Sequence, residues 1–196
     1  MLAPITLEGS FVRLVPLAHE HVDSLCALGV DPQLWQSTTV KLSSREQMGA
    51  YLRNALEAMG KGTELPFAIF ERAGGKITGM TRLHSAVPEH KRVEIGMTWI
   101  APAWQRTAVN SESKYLLLRH LFETLGCVRA HFTANSANER SRQALLRLGA
   151  KEEGILRCYR VAPSGQTFDL FVFSIIASEW PDVRSRLETR LYRRSS

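Results

Sequence analysis

Apolar residues repeat along this chain with two periods, two residues in some stretches and three to four in others, and the changes of period mark its elements. Phe11 to Leu17 alternates apolar and polar positions before Pro16 and reads as a first strand. In the helical stretch that follows, Val22, Leu25, Cys26 and Leu28 fall on one side and Gly29 lies near the end. Ser43 and Glu46 have capping-box spacing, opening a helix through Met48, Leu52, Leu56 and Met59 that stops at Gly60. Both helices precede most of the strands, so they are expected to lie across one end of a sheet and shape a substrate cleft. Leu65 to Glu71 and Lys76 to Leu83 flank Gly74-Gly75, a strong hairpin signal, and Arg92 to Ile100 completes an antiparallel meander that Pro102 ends.

A longer helix is predicted from Ala108 to Leu125, with Leu117, Leu118, Leu121 and Leu125 on its apolar stripe. Glu112, Arg119 and Glu123 share its polar side, and Gly126 stops it. Cys127 to Ala134 is the next strand; a helical crossover makes it a parallel neighbour of the strand before. Asn138 opens a short helix that buries Leu145 and Leu148 and closes at Gly149. Strands from Gly154 to Val161 and Thr167 to Ile176 flank a turn at Pro163-Ser164-Gly165, and Ser178 caps a final helix. Nothing in this order reads as a linker or repeat, so residues 1–196 are expected to form one mixed α/β domain.

Composition narrows the class. With 44% hydrophobic and 22% charged residues, a chain of 196 can bury a core and is not of the disordered type. No apolar run is long enough to span a membrane, and the opening MLAPITLEGS lacks the basic start and apolar centre of a secretory signal, so a cytoplasmic protein is expected. Cys26, Cys127 and Cys158 are far apart and suggest neither a disulfide framework nor a zinc site. His84, His90, His120 and His131 have no metal-ligand spacing, and no serine has a nucleophile-elbow context. The net charge of +6 suits an anionic ligand as well as simple solubility.

The stretch with most chemical meaning runs from Val93 to Leu125. A strand there leads through Gln105, Arg106 and Thr107 into a helix whose first residues are small. Unpartnered amides and the helix dipole make Thr107 to Asn110 a natural seat for a phosphate-bearing cofactor.

Four segments, VEIGMTWI (93–100), QRTAVNSESK (105–114), NERSRQALLRLGAKEEG (138–154) and FDLFVFSIIASEW (168–180), together resemble the GNAT superfamily of N-acetyltransferases. The closer likeness is to the RimJ/RimL-type branch, which acetylates ribosomal-protein amino termini. The resemblance implies the GNAT acyl-CoA N-acyltransferase fold, with about seven mostly antiparallel strands and helices on both faces, and acetyl-CoA as cofactor. The superfamily's diphosphate loop runs Gln or Arg, two variable residues, Gly, one variable residue, Gly or Ala. Here Gln105 opens it while Ala108 and Asn110 take the small places. By that likeness the amides of Gln105, Arg106, Thr107, Ala108, Val109 and Asn110 hold diphosphate, and main chain near Trp99 and Ile100 pairs with pantetheine as an added strand.

Acetyl transfer to an amine needs the amine's proton removed, and an amine of pKa about 8 to 10 holds it at neutral pH. Glu94 is the candidate base, placed by the strand period opposite Val93, Ile95 and Met97; it reads equally as a strand-pairing carboxylate. The resemblance implies that Asn138 holds the pantetheine arm and that Ser141 protonates the leaving sulfur, although Asn138 is also a good helix cap and Ser141 a good packing residue. Many family members carry a tyrosine acid in this helix; here Leu145 and Leu146 stand instead. Trp35 is a candidate floor for the acceptor pocket. Arg184, Arg186, Arg190, Arg193 and Arg194 read first as a solvated helix face, so no direct nucleic-acid binding is expected, while association with ribosomal material stays open. Relatives are often dimers, making a homodimer one expectation. Three functions compete: acetylation of a protein or peptide amino terminus, acetylation of a small amine such as a polyamine, antibiotic or amino-acid derivative, and noncatalytic CoA or RNA binding.

Overall fold

The computed structural model describes residues 2–38, 40–162 and 164–192. Its strands are β1 (Leu7–Glu8), β2 (Val12–Pro16), β3 (Leu65–Glu71), β4 (Ile77–Val87), β5 (Arg92–Ile100), β6 (Arg129–Asn135), β7 (Lys151–Val161) and β8 (Thr167–Ile176). They form one sheet in the order β1-β2-β3-β4-β5-β6-β8-β7. Every pairing is antiparallel except β5 with β6, where a helical crossover imposes the parallel sense. The expected strands are all present, and the eighth, β1, is a two-residue piece too short to carry a periodic signal.

Helices cover both faces. On one lie α1 (Val22–Gly29) and α2 (Arg45–Gly60), which bury Leu25, Met48 and Leu52 against Leu17, Ala68, Met80 and Trp99. They therefore pack across a face of the sheet, not across one end, because α2 presents Met48, Leu52 and Ala55 as a stripe that needs a flat apolar partner. On the other face lie α3 (Ala108–Arg119), α4 (Glu139–Leu148) and α5 (Trp180–Tyr192), around Phe67, Val93, Ile95, Phe132 and Phe173. No helix among the described residues is long and apolar enough to cross a membrane.

Several local expectations shift. The cap of α2 is Ser44: its side chain accepts from the Gln47 amide at 3.1 Å, while the Gln47 side chain accepts from the Ser43 amide at 2.9 Å. Helix α3 continues as a π-helical turn over His120–Thr124, before Gly126 at φ +61°. Strand β7 starts at Lys151 because Gly154, at φ +158°, is a bulge inside the strand and not its boundary. Helix α5 starts at Trp180, two residues past Ser178. Pro163 of the expected turn and Arg193 and Arg194 of the basic cluster lie outside the described residues.

The largest departure is Glu112. It is not on a solvated side of α3 but fully buried, and its carboxylate accepts from the amides of Ser10, Phe11 and Val12 at 2.8, 2.6 and 2.7 Å and from the Tyr192 hydroxyl at 2.8 Å. Helix α3 is enclosed because the sheet covers one side while the turn before β2 and helix α5 cover the other. A buried carboxylate is tolerable only with such a set of donors, and it fastens both ends of the described chain to one helix.

Candidate active site

The centre of the sheet is opened by two breaks in its pairing. Between β4 and β5 the register runs Met80↔Trp99 and then Arg82↔Gly96, so Met97 and Thr98 together face Thr81. Met97 takes φ +49° and is 43% exposed, so the bulge turns out to solvent the side chain expected beside Val93 and Ile95. Between β5 and β6 only Arg92↔Arg129, Val93↔Ala130 and Glu94↔His131 are paired, although β5 continues to Ile100 and β6 to Asn135. Past Glu94 the two strands part, leaving main chain of β5 free to pair with an extended group.

At the apex of that fork stands Glu94, 9% exposed. Cross-strand pairing places His84 of β4 and His131 of β6 on either side of it, and the two-residue period turns all three to the face that α1 and α2 cover elsewhere. Thr133 Oγ1 donates to Glu94 Oε1 at 2.7 Å. His131 Nε2 lies 3.4 Å from Oε2, and His84 Nε2 lies 3.8 Å from Oε1. Burial pushes the Glu94 carboxyl up, but the bonds from His131 and Thr133 and the neighbouring imidazoles outweigh it and hold the group below the usual carboxylate range. Burial lowers the His84 imidazole below its ordinary value, against the opposing pull of Glu94. Among the described residues no group of three or more His, Cys, Asp or Glu side chains could hold a metal ion.

The mouth of the fork is built by the turn into α3. Arg106 takes φ +62°, a conformation that costs a non-glycine residue about 1 kcal/mol or more. Thr107 caps the helix, its Oγ1 accepting from the Val109 amide at 3.3 Å and donating to the Trp104 carbonyl at 2.6 Å. Ala108 and Asn110 lie in the first turn, where amides lack a helical partner. Gln105 serves differently: its amide donates to the Pro102 carbonyl at 3.2 Å and its side chain to the Ile100 carbonyl at 2.8 Å, tying the turn to the end of β5. Trp99 and Ile100 are both buried at that end. Across the fork, Asn138 caps α4 by accepting from the Ser141 amide at 3.0 Å, its side-chain NH2 making no hydrogen bond among the described residues, and Ser141 is half-buried beside it.

Trp35 lies in the core under α1 and α2, 6.3 Å from Trp99, with its indole N–H donated to the Gly29 carbonyl at 2.7 Å. Among the described residues of the basic cluster, Arg184 and Arg190 are pinned by Glu123, Glu188 and Ser111. Sequence reasoning passes over His84 and His131, weighed only for metal spacing, because the register that aligns them with Glu94 cannot be read from their separation. It also passes over Lys114, which falls on the apolar stripe of α3 with Leu117, Leu118 and Leu121 and carries a usable signal for that reason. Lys114 is buried, and its Nζ donates to Thr98 Oγ1 in the bulge at 2.6 Å.

A forked pair of parallel strands, with a helix amino end at its mouth and a buried carboxylate at its apex, suits a long anionic thioester facing an amine. The acetyltransferase (GNAT) domain family matches residues 12–151. The chain belongs to this GNAT acetyltransferase family. It is 31% identical over 106 residues to the Bacillus subtilis protein named "Putative ribosomal N-acetyltransferase YdaF", covering 54% of this chain and 57% of that one. A second Bacillus subtilis protein, "Uncharacterized N-acetyltransferase YoaA", is 31% identical over 110 residues, or 56% of this chain and 61% of its own. The match thus spans about three fifths of the curated relatives' length. A solved GCN5-related N-acetyltransferase from Brucella melitensis superposes with TM-score 0.89 at 28% identity, over 97% of this chain and 86% of that one. The eight-stranded sheet with its parallel fork is the fold of this family, whose members use acetyl-CoA, and the α3 turn and free β5 edge fit that cofactor.

Proposed function

We propose that this protein is an acetyl-CoA-dependent N-acetyltransferase whose acceptor is the amino terminus of a protein or peptide, working in the cytoplasm as a single catalytic domain. The observation that carries the reading is the ionised, buried Glu94 at the apex of the β5–β6 fork. The ribosomal function in the name of its relative YdaF supports the choice of acceptor.

When bound, acetyl-CoA supplies an activated acetyl group on a thioester. Amides of Arg106, Ala108 and Asn110 would hold its diphosphate, with the Arg106 guanidinium adding charge. Main chain at Trp99 and Ile100 and the side-chain amide of Asn138 would align the pantetheine arm. Glu94 takes the proton that keeps the amine from attacking, and Thr133 and His131 hold the carboxylate in place and ionised. Ser141 would pass its hydroxyl proton to the thiolate and recover the second proton lost by the acylated nitrogen. Low exposure around Glu94 excludes bulk water, so attack by amine is favoured over hydrolysis.

The test is a panel of peptides with free amino termini, polyamines, aminoglycosides and amino acids, each incubated with acetyl-CoA while free thiol is followed. Turnover on peptides at least a hundredfold above the rest is expected. A preference for a small amine overturns the acceptor, and tight CoA binding without turnover on any amine overturns the enzymatic reading.

A further inference from the structure

Acetylation of an ammonium group releases one proton per turnover: the amine gains an acetyl, the sulfur leaves as a thiol, and the surplus proton must reach solvent. Glu94 is 9% exposed, so a carboxylate that accepts that proton cannot simply hand it to bulk water. Two imidazoles flank it, and they differ in what lies behind them. His131 presents Nε2 to Glu94, but its Nδ1 is buried without a hydrogen-bond partner among the described residues, so a proton passed to this ring meets no onward acceptor among them. His84 also faces Glu94 through Nε2, a buried atom with no hydrogen bond among the described residues, while its Nδ1 lies 3.0 Å from the hydroxyl of Ser85. Ser85 is exposed, at φ +50°, and with His84, Thr63, Glu64 and Pro88 it lines a cavity of about 430 Å³ open to solvent.

We infer that His84 is the proton exit of this enzyme, carrying the amine's proton from Glu94 through Ser85 into the cavity beyond. The inference rests on the reading of Glu94 as base. The carboxylate takes a proton from the ammonium; its new O–H breaks as N–H forms at His84 Nε2; the Nδ1 proton passes to the Ser85 hydroxyl, which releases its own to cavity water. The amine keeps its lone pair for attack, nothing is oxidised or reduced, and the ring resets by tautomer exchange with solvent. An imidazole is ordinarily a stronger base than a carboxylate by about two pH units, a gap that burial of His84 narrows and the lowering of Glu94 widens. Closing the 3.8 Å gap to hydrogen-bond distance takes about 1 Å of side-chain motion. Gly96 provides the room: a Cβ there would lie 2.4 Å from His84 Nε2. The charged groups acting on the ring are Glu94 on β5, Glu64 before β3, His131 on β6 and Arg82 on its own strand.

Removing the ring should slow proton departure without touching cofactor binding. His84→Ala is expected to lower kcat at least tenfold with KM for acetyl-CoA within twofold, and added imidazole, entering from the cavity, should restore at least a third of the lost rate. His131→Ala should gain nothing from imidazole. His84→Asn, which keeps much of the volume, should show the same loss if His84→Ala fails to fold. A readout without any ligand is the histidine NMR titration: the His84 midpoint should fall in Glu94→Gln, because the carboxylate's charge raises it. Wild-type kcat in His84→Asn, absence of imidazole rescue, or an unmoved His84 midpoint overturns the exit. Wild-type turnover in Glu94→Gln overturns the base itself, so the two failures are distinguishable.

Discussion

Lys114 carries a buried amine that forms no ion pair among the described residues, and burial depresses its pKa from 10.5 to about 7. An unfolded chain keeps that proton up to the ordinary value while the folded one releases it near pH 7. Between those limits the unfolded state binds more protons, so this residue makes stability rise with pH. At about 1.36 kcal/mol for each pH unit separating the two values, folding at pH 7 carries a penalty of about 4 kcal/mol, and about 2 kcal/mol of it is relieved by pH 9. Lys114→Met keeps the length of the side chain and removes the charge. It also gives up the 2.6 Å bond to Thr98 Oγ1, a loss of about 1 kcal/mol because Thr98 keeps Thr81 at 2.7 Å. The variant should therefore be more stable than wild type by about 3 kcal/mol at pH 7 and by about 1 kcal/mol at pH 9. Urea unfolding of both proteins at pH 7, 8 and 9 measures this, and titrations common to the two cancel in the difference. A gap between variant and wild type that stays within about 0.5 kcal/mol from pH 7 to 9 refutes the assignment of a buried, near-neutral amine.

Glu112→Gln should destabilise by about 2 to 4 kcal/mol in denaturant unfolding, since each carboxylate oxygen serves two donors and a carboxamide must turn NH2 toward one of those pairs; a change below about 1 kcal/mol contradicts that geometry. Asn138→Ala should cost about 1 kcal/mol of stability through the lost cap and weaken CoA binding by about 1 to 2 kcal/mol, and unchanged calorimetric affinity would leave Asn138 as a cap alone. Glu94→Gln should lower turnover at least a hundredfold and remove the acidic limb of the kcat profile, which in wild type falls at a pH below the usual carboxylate range; a profile of unchanged shape takes Glu94 out of the chemistry. Gly96→Ala should displace His84 from Glu94, whose place a Cβ would invade at 2.4 Å, and reduce kcat with little effect on CoA affinity; wild-type kcat would show that the ring does not need that space.

Much of the frame is legible without coordinates, because it rests on local physics. Gly74-Gly75 commits its neighbours to a hairpin, Asn138 and Gly149 bracket a helix, and the runs Arg92–Ile100 and Thr167–Ile176 end where the strands end. The errors are also physical. Ser43 reads as the cap in place of Ser44 because one residue of register changes the partner but not the composition, and Gly154 reads as a boundary because a glycine signals a bulge and a break alike. Glu112 looks solvated because charge is taken as a sign of water, while here four donors from distant segments replace it.

Periodicity and turn chemistry alone marked the strands from β2 to β8, the helices and the turn at Thr107 that opens α3, since each depends on residues within one or two turns of chain. Tertiary structure decided the apex: which residues face Glu94 depends on strand register, and register aligns His84, Glu94 and His131 across separations that no local pattern spans. Burial then decided their charge, because desolvation is a property of what packs around a group and not of the group's neighbours in sequence.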